Sequence, residues 1–146
     1  MNIKIKKLDP DCILPQYMTS GAAAMDVCAC THEAIVIEPR QRVLIPTGFA
    51  IQLMKGYAAL LCARSGLASK SGIALANGIG VIDSDYTGEV KVALINNSDS
   101  PFTVEHGMRI AQMMITPVMV ATPVVVDELD ETQRGSGGFG STGTKA

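Results

Sequence analysis

The sequence has no excess of positive charge: Lys and Arg total 12 against 14 Asp and Glu, a formal net charge of −2. Without such an excess the chain has no broad electrostatic hold on a polyanion, so nucleic acid is not expected as a long-lived partner. It also lacks any run of about eighteen apolar residues, the length a helix needs to cross a bilayer, and no membrane partner is expected. The N-terminal stretch Met1 to Leu8 alternates charge with branched apolar side chains and has no continuous apolar core of a signal peptide, which predicts a cytoplasmic protein. Cysteines are few, and in that setting Cys12, Cys28, Cys30 and Cys62 are expected as thiols rather than as a disulfide framework. Common hydrolytic signatures are missing as well: there is no Gly-x-Ser-x-Gly elbow, Ser-x-x-Lys pair or His-Glu-x-x-His helix. The only imidazoles are His32 and His106, and His106 sits in the polar turn Glu105-His106-Gly107, where a surface role is expected.

What is present fits one domain. A chain of 146 residues that is 47% hydrophobic can fill a single core. Val, Ile, Leu and Ala recur in short runs, each ended within a few residues by Gly, Pro, Asn or Asp, which is an all-β pattern. Strands are expected at Asn2 to Leu8, Met25 to Cys30, Ala34 to Ile37, Arg42 to Ile45, Phe49 to Met54, Tyr57 to Cys62 and Val90 to Asn96. A last one is expected over Ile110 to Val126, in two pieces around Pro117. The architecture predicted is a distorted jelly roll or β-barrel, because closing or doubling a sheet hides its edges. Only Ser65 to Ser71 has the composition for a short helix, with Ser65 as the expected N-cap. Cys28, Cys30 and His32 at i, i+2 and i+4 would share one face of a strand, a spacing that could hold zinc, but packing of small side chains is the better reading.

After Glu131 the composition changes. Residues 132–146 contain no acid, no branched aliphatic and many glycines, so a body over 1–131 and a flexible arm over 132–146 are expected. The arm carries Arg134, Lys145 and the lone aromatic Phe139, which suits a segment that orders over an anionic ligand. Its glycines are not a phosphate-binding P-loop, since Thr144 separates Gly143 from Lys145 and no strand or helix is expected around them. Two body segments also carry chemistry. Ala63-Arg64-Ser65-Gly66-Leu67 groups a guanidinium, a hydroxyl and free N–H donors suited to phosphate oxygens. Asn77 to Val90 is an apolar run broken by Gly78 and Gly80, followed by Asp83, Ser84, Asp85 and Tyr86 in a tight turn. Glycines there would let a flat ligand approach the backbone closely.

In order, these segments resemble the five signature motifs of the trimeric dUTPase family. They are Ala23 to Val27, Arg64 to Ala68, Asn77 to Val90, Gly107 to Gln112 and Arg134 to Gly143, and the resemblance covers nearly the whole chain. One departure lies in the first motif, where Ala24 stands in place of the family's usual glycine. The resemblance implies hydrolysis of dUTP to dUMP and pyrophosphate by water attack at the α-phosphorus, with Asp83 as the general base. It implies a homotrimer whose sites lie between subunits, each closed by the arm of another protomer. It implies Mg2+, held by the triphosphate and by waters, with Asp26 and Gln112 in the outer shell and no direct protein ligand. Arg64, Ser65 and Gly66 would contact phosphates; Asn77, Gly80, Val81 and Ile82 would read uracil; Tyr86 would lie against the sugar, and Lys91 would join the substrate contacts. Arg134, Phe139, Gly140 and Ser141 would supply the closing arm, with Phe139 stacked on the base. Two alternatives stay open: a dCTP deaminase-like relative, and a non-catalytic nucleotide-binding jelly roll.

Overall fold

The computed structural model describes residues 1–138. Strands run in the order β1 (Lys4–Lys7), β2 (Met25–Cys28), β3 (Ile35–Ile37), β4 (Arg42–Gln52) and β5 (Tyr57–Cys62), then the helix α1 (Ser65–Ser71). After it come β6 (Ile73–Leu75), β7 (Gly80–Ile82), β8 (Glu89–Asn96), β9 (Phe102–Val104) and β10 (Arg109–Pro117). They form a four-stranded sheet of order β1-β4-β8-β6, a second of order β2-β10-β5-β7, and the ribbon β3-β9, all with antiparallel pairs. This is the all-β fold expected, but none of these sheets closes on itself into a barrel among the described residues. The two larger sheets bury their inner faces against each other instead. Phe49, Ile45, Leu94, Val92, Ile110 and Met113 are almost fully buried in one apolar cluster. Burial of each such side chain contributes on the order of 1.5–3 kcal/mol.

Four expectations need correction. The segment read as two strands around Pro46 and Gly48 is one strand, β4, because Pro46 keeps its place opposite Lys91 and a bulge between Pro46 and Ala50 absorbs Gly48. The apolar stretch after Pro117 forms no strand: Val118 donates to the carbonyl of Gly56, and beyond it the chain is exposed through Ser136. Within it, Met119, Val120 and Val125 are each more than 90% exposed. The N-cap of α1 is Arg64 rather than Ser65, and no side chain caps that end; Gly72, left-handed at φ 68°, closes the other. Finally, β6 and β9 are three-residue strands within stretches read as connections.

The bulge shows why Gly48 is glycine. Its φ is +72°, and a Cβ there would stand 2.6 Å from Cys12 Cβ and 2.8 Å from Cys30 Sγ. Its carbonyl accepts from Leu8 and Asp9, which ties the segment after β1 to the middle of β4. Gly48→Ala is therefore expected to destabilise the protein by about 2–4 kcal/mol, combining left-handed strain with overpacking. Urea denaturation checks this, and a loss below about 0.5 kcal/mol, the size of an ordinary surface substitution, would contradict it.

Candidate active site

Strand register assembles the first cluster of site residues. In the sheet β2-β10-β5-β7, Gln112 lies directly opposite Asp26 on one side and Cys62 on the other. Residues directly opposite on adjacent strands share a face, so these three form a row. Arg64 follows two residues after Cys62, and Arg109 enters at the start of β10. Together with Met18, Ala22, Ala23, Ala24 and Met114 they line a cleft of about 430 Å³.

Charge organises this cleft. Asp26, buried among its neighbours, pairs with Arg109 through Oδ2 at 3.1 Å and with Arg64 through Oδ1 at 3.3 Å. The Arg64 contact is an ion pair rather than a hydrogen bond, since Nε is buried without an aligned acceptor; Nη1 of the same guanidinium donates to the Arg109 carbonyl. One carboxylate thus orients two guanidinium groups and leaves the cluster with net positive charge, which suits phosphate. Ser65 and Gly66 open α1 just beyond Arg64 and line neither this cleft nor the next.

The second cluster lies elsewhere. Leu61, next to Cys62 on β5, points to the opposite face. There a cleft of about 340 Å³ opens between the two large sheets, lined by Leu61, Asn77, Gly80, Val81, Ile82, Asp83, Tyr86, Glu89 and Lys91, with apolar residues of β4, β6 and β8. Asp83 follows the last residue of β7 and accepts from the N–H of Tyr86 through its carbonyl, closing a turn. The Tyr86 hydroxyl donates to the Glu89 carbonyl at 2.9 Å. The ring rests on Gly88, where a Cβ would come within 2.6 Å of that hydroxyl.

The glycines of this segment have reasons within the fold. Gly78 takes φ +71° in the turn that carries the chain from β6 in one sheet to β7 in the other, and a Cβ on Gly80 would stand 3.1 Å from Leu61 Cβ, so Gly80 lets β7 pack closely on β5. Val81, 61% exposed, and Ile79, 54% exposed, leave apolar surface there.

The residues expected to meet one substrate are thus divided between two faces of one sheet within a single chain. Arg134 lies in neither cleft: it is exposed, and its Nε donates to the Gly137 carbonyl in a local turn. Phe139, Gly140 and Ser141 lie outside the described residues. Arg109 and Glu89 had been read only as members of their motifs. Pairing of Arg109 with Asp26 depends on the register of β10 against β2, a long-range contact that local sequence does not display.

Cys28, Cys30 and His32 do not converge on a metal site, and among the described residues no group of three His, Cys, Asp or Glu could hold a metal ion. Cys28 lies near Asp26, Arg109 and Arg64, whereas Cys30 lies near Asp9 and Cys12. His32 is paired with Asp9 at 3.2 Å. Burial, with help from those carboxylates, pushes both thiols above their ordinary range. No helix among the described residues is long and apolar enough to cross a membrane.

A family model for dUTPase matches residues 11–143. The chain belongs to the dUTPase family. Among its dUTPase relatives is the deoxyuridine 5′-triphosphate nucleotidohydrolase of Desulfitobacterium hafniense (strain DSM 10664 / DCB-2), 58% identical over 131 residues, spanning 89% of this chain and 87% of that protein. The enzyme of the same name from Hydrogenobaculum sp. (strain Y04AAS1) is 51% identical over 145 residues, 99% of this chain and all of that protein. Among solved dUTPase structures, a glycine-to-serine variant from Staphylococcus bacteriophage 80alpha with dUpNHpp superposes at a TM-score of 0.90, with 26% identity over 98% of this chain and 99% of that one.

Asp26→Asn should leave both arginines of this dUTPase without a full counter-charge. The expected cost is about 1–2 kcal/mol of stability, held to that range because both guanidinium groups keep contact with solvent. Thermal melting with chemical denaturation checks it, and a variant as stable as the parent would remove Asp26 from the organising role.

Proposed function

We propose that the dUTP nucleotidohydrolase activity of this chain runs through the Asp83 cleft of one subunit and the arginine cleft of another. The carrying observation is that the two expected halves of the site face opposite sides of one sheet, so one chain does not offer both to one substrate. A second feature agrees: the exposed apolar stretch from Val118 to Val126 finds no partner strand among the described residues and is suited to a neighbouring subunit. A homotrimer with three shared sites and exchanged arms satisfies both. The body over 1–131 then carries the clefts, and the arm over 132–146 carries Arg134, Phe139, Gly140 and Ser141 to a neighbour's site.

The segment from Asn77 to Ile82 holds uracil through backbone groups, and Gly80 and Val81 leave little room for a 5-methyl substituent. Cytosine presents a donor where uracil presents an acceptor, so it leaves buried groups unpaired. Tyr86 lies along the deoxyribose and refuses a 2′-hydroxyl, and Lys91 lies beside it in the same cleft. Asp83 accepts a proton from the water that attacks the α-phosphorus, while the bond to the pyrophosphate oxygen breaks. Arg64 of the other cleft receives the phosphates, with Ser65 and Gly66 beside it at the start of α1. Arg134 and the glycines of the arm cover the γ end, and Phe139 stacks on the base, excluding water.

Asp26 and Gln112 fit an outer-shell role toward Mg2+ better than direct ligation. Both oxygens of Asp26 already face arginines, and no third acidic or imidazole group joins it. When bound, the ion supplies charge neutralisation on the triphosphate. The relatives named above carry the nucleotidohydrolase name, which favours this reaction over deamination of dCTP.

Asp83→Asn is expected to lower kcat by at least about a hundredfold, within the range for loss of a general base, while leaving affinity for a non-hydrolysable dUTP analogue largely unchanged. Pyrophosphate release and calorimetric titration check the two halves; turnover near that of the parent would remove Asp83 from the base role. Deleting the residues after Arg134 should depress turnover strongly with little change in melting temperature. A large fall in melting temperature would instead mark the arm as part of the folded body.

A further inference from the structure

Glu89 is a charged residue in the base-side cleft with no role in the mechanism above. Its environment is unusually determined. The bulge in β4 withdraws the N–H of Gly48 from the strand ladder, and that buried N–H donates to Oε1 of Glu89 at 3.0 Å. Gly48 itself cannot shift easily. Its carbonyl holds Leu8 and Asp9, and its Cα packs against Cys12 and Cys30 with no space for a side chain. Next to it, the hydroxyl of Thr47 donates to the carbonyl of Val90, fixing the strand on the far side of Glu89.

The other end of the linkage is Tyr86. Its hydroxyl donates to the backbone carbonyl of Glu89, and Gly88 lies beneath its ring. The position of the ring therefore follows the position of the Glu89 backbone. That backbone is tethered, through its own side chain, to the most constrained residue of β4. Oε2 of Glu89 also lies 3.4 Å from Nζ of Lys91.

We propose that Glu89 is a specificity-determining positioning residue, whose carboxylate anchors the turn bearing Tyr86 to the Gly48 bulge and so sets the discrimination between deoxyribose and ribose. The inference rests on the reading of Tyr86 as the residue that meets the sugar. It adds that the ring's distance from the sugar is held from behind, by a side chain that touches no part of the substrate. Loss of the carboxylate orphans the Gly48 N–H and frees the turn, so the ring can retreat and admit a 2′-hydroxyl.

The test is the ratio of kcat/KM for dUTP to that for UTP, measured on the full chain. Any effect of Lys91 common to both nucleotides cancels in this ratio. Glu89→Ala is expected to lower it about tenfold, equivalent to about 1.4 kcal/mol of lost discrimination. Glu89→Gln, which keeps an acceptor for the Gly48 N–H, should restore most of it. A folded Glu89→Ala variant with an unchanged ratio overturns the proposal, even if turnover falls for both nucleotides. A Gln variant as permissive as Ala also overturns it, because the charge on Lys91 and not the Gly48 tether would then be responsible. Should Glu89→Ala fail to fold, Tyr86→Phe cuts the same linkage at its other end, and an unchanged ratio there is equally fatal. Tyr86→Ala separates the two levels of the argument. If it leaves the ratio intact, the sugar-contact reading itself fails; if it lowers the ratio while Glu89→Ala does not, only the role of Glu89 is lost.

Discussion

Successive side chains on a strand face opposite ways, and in this chain the rule falls on β5 at adjacent residues. Leu61 turns toward the cleft that holds Asp83, Asn77 and Tyr86, whereas Cys62 and the following Arg64 turn toward the cleft that holds Asp26, Arg109 and Gln112. Both clefts depend on the register of β10 and β7 against β5. A shift of one residue would exchange core and surface on that strand and dismantle both faces together. Stability and function are coupled here through backbone pairing more than through any individual site contact.

The two faces differ in what they can bind. On the arginine face, two guanidinium groups share one carboxylate, so a positive charge remains to meet phosphate oxygens. Apolar side chains and backbone groups of β7 and its flanking turns dominate the other face, and its charged side chains are Asp83, Glu89 and Lys91. A base and sugar suit this second face, since discrimination among bases needs fixed donors and acceptors in an apolar surround rather than net charge. The chemistry of the nucleotide is thus matched in two pieces.

Much of this was legible in the sequence because it is local. The run from Asn77 to Tyr86 announces an acidic turn after a glycine-broken apolar stretch, Ser65 to Ser71 announces the short helix, and the apolar run Tyr57 to Cys62 announces a strand. The failures also have physical causes. Pro46 and Gly48 look like strand breakers, but the bulge places Pro46 opposite Lys91 and gives the Gly48 N–H a side-chain acceptor, so β4 continues through both. Strands of three residues, such as β6 and β9, are too short to show a period and exist because their partners hold them. The stretch after Pro117 is apolar and β-branched, which reads as a strand, yet a strand also needs a neighbour and none pairs with it among the described residues. The row Asp26, Gln112 and Cys62 comes from long-range pairing that no local pattern displays.

In the proposed shared site one chain does not complete the enclosure around the nucleotide, so the precision of the Asp83 cleft must come from its own supports. Tyr86 is about half exposed and would wander if it relied on packing alone. Its hydroxyl is instead fixed to Glu89, Glu89 to Gly48, and Gly48 to two segments and two thiols that leave it no freedom. Rigidity generated in the core at β4 is thereby delivered to an exposed aromatic by a short chain of hydrogen bonds. If Tyr86 meets the sugar as proposed, an open half-site discriminates closely related sugars on these terms, because that wall is braced from within its own subunit.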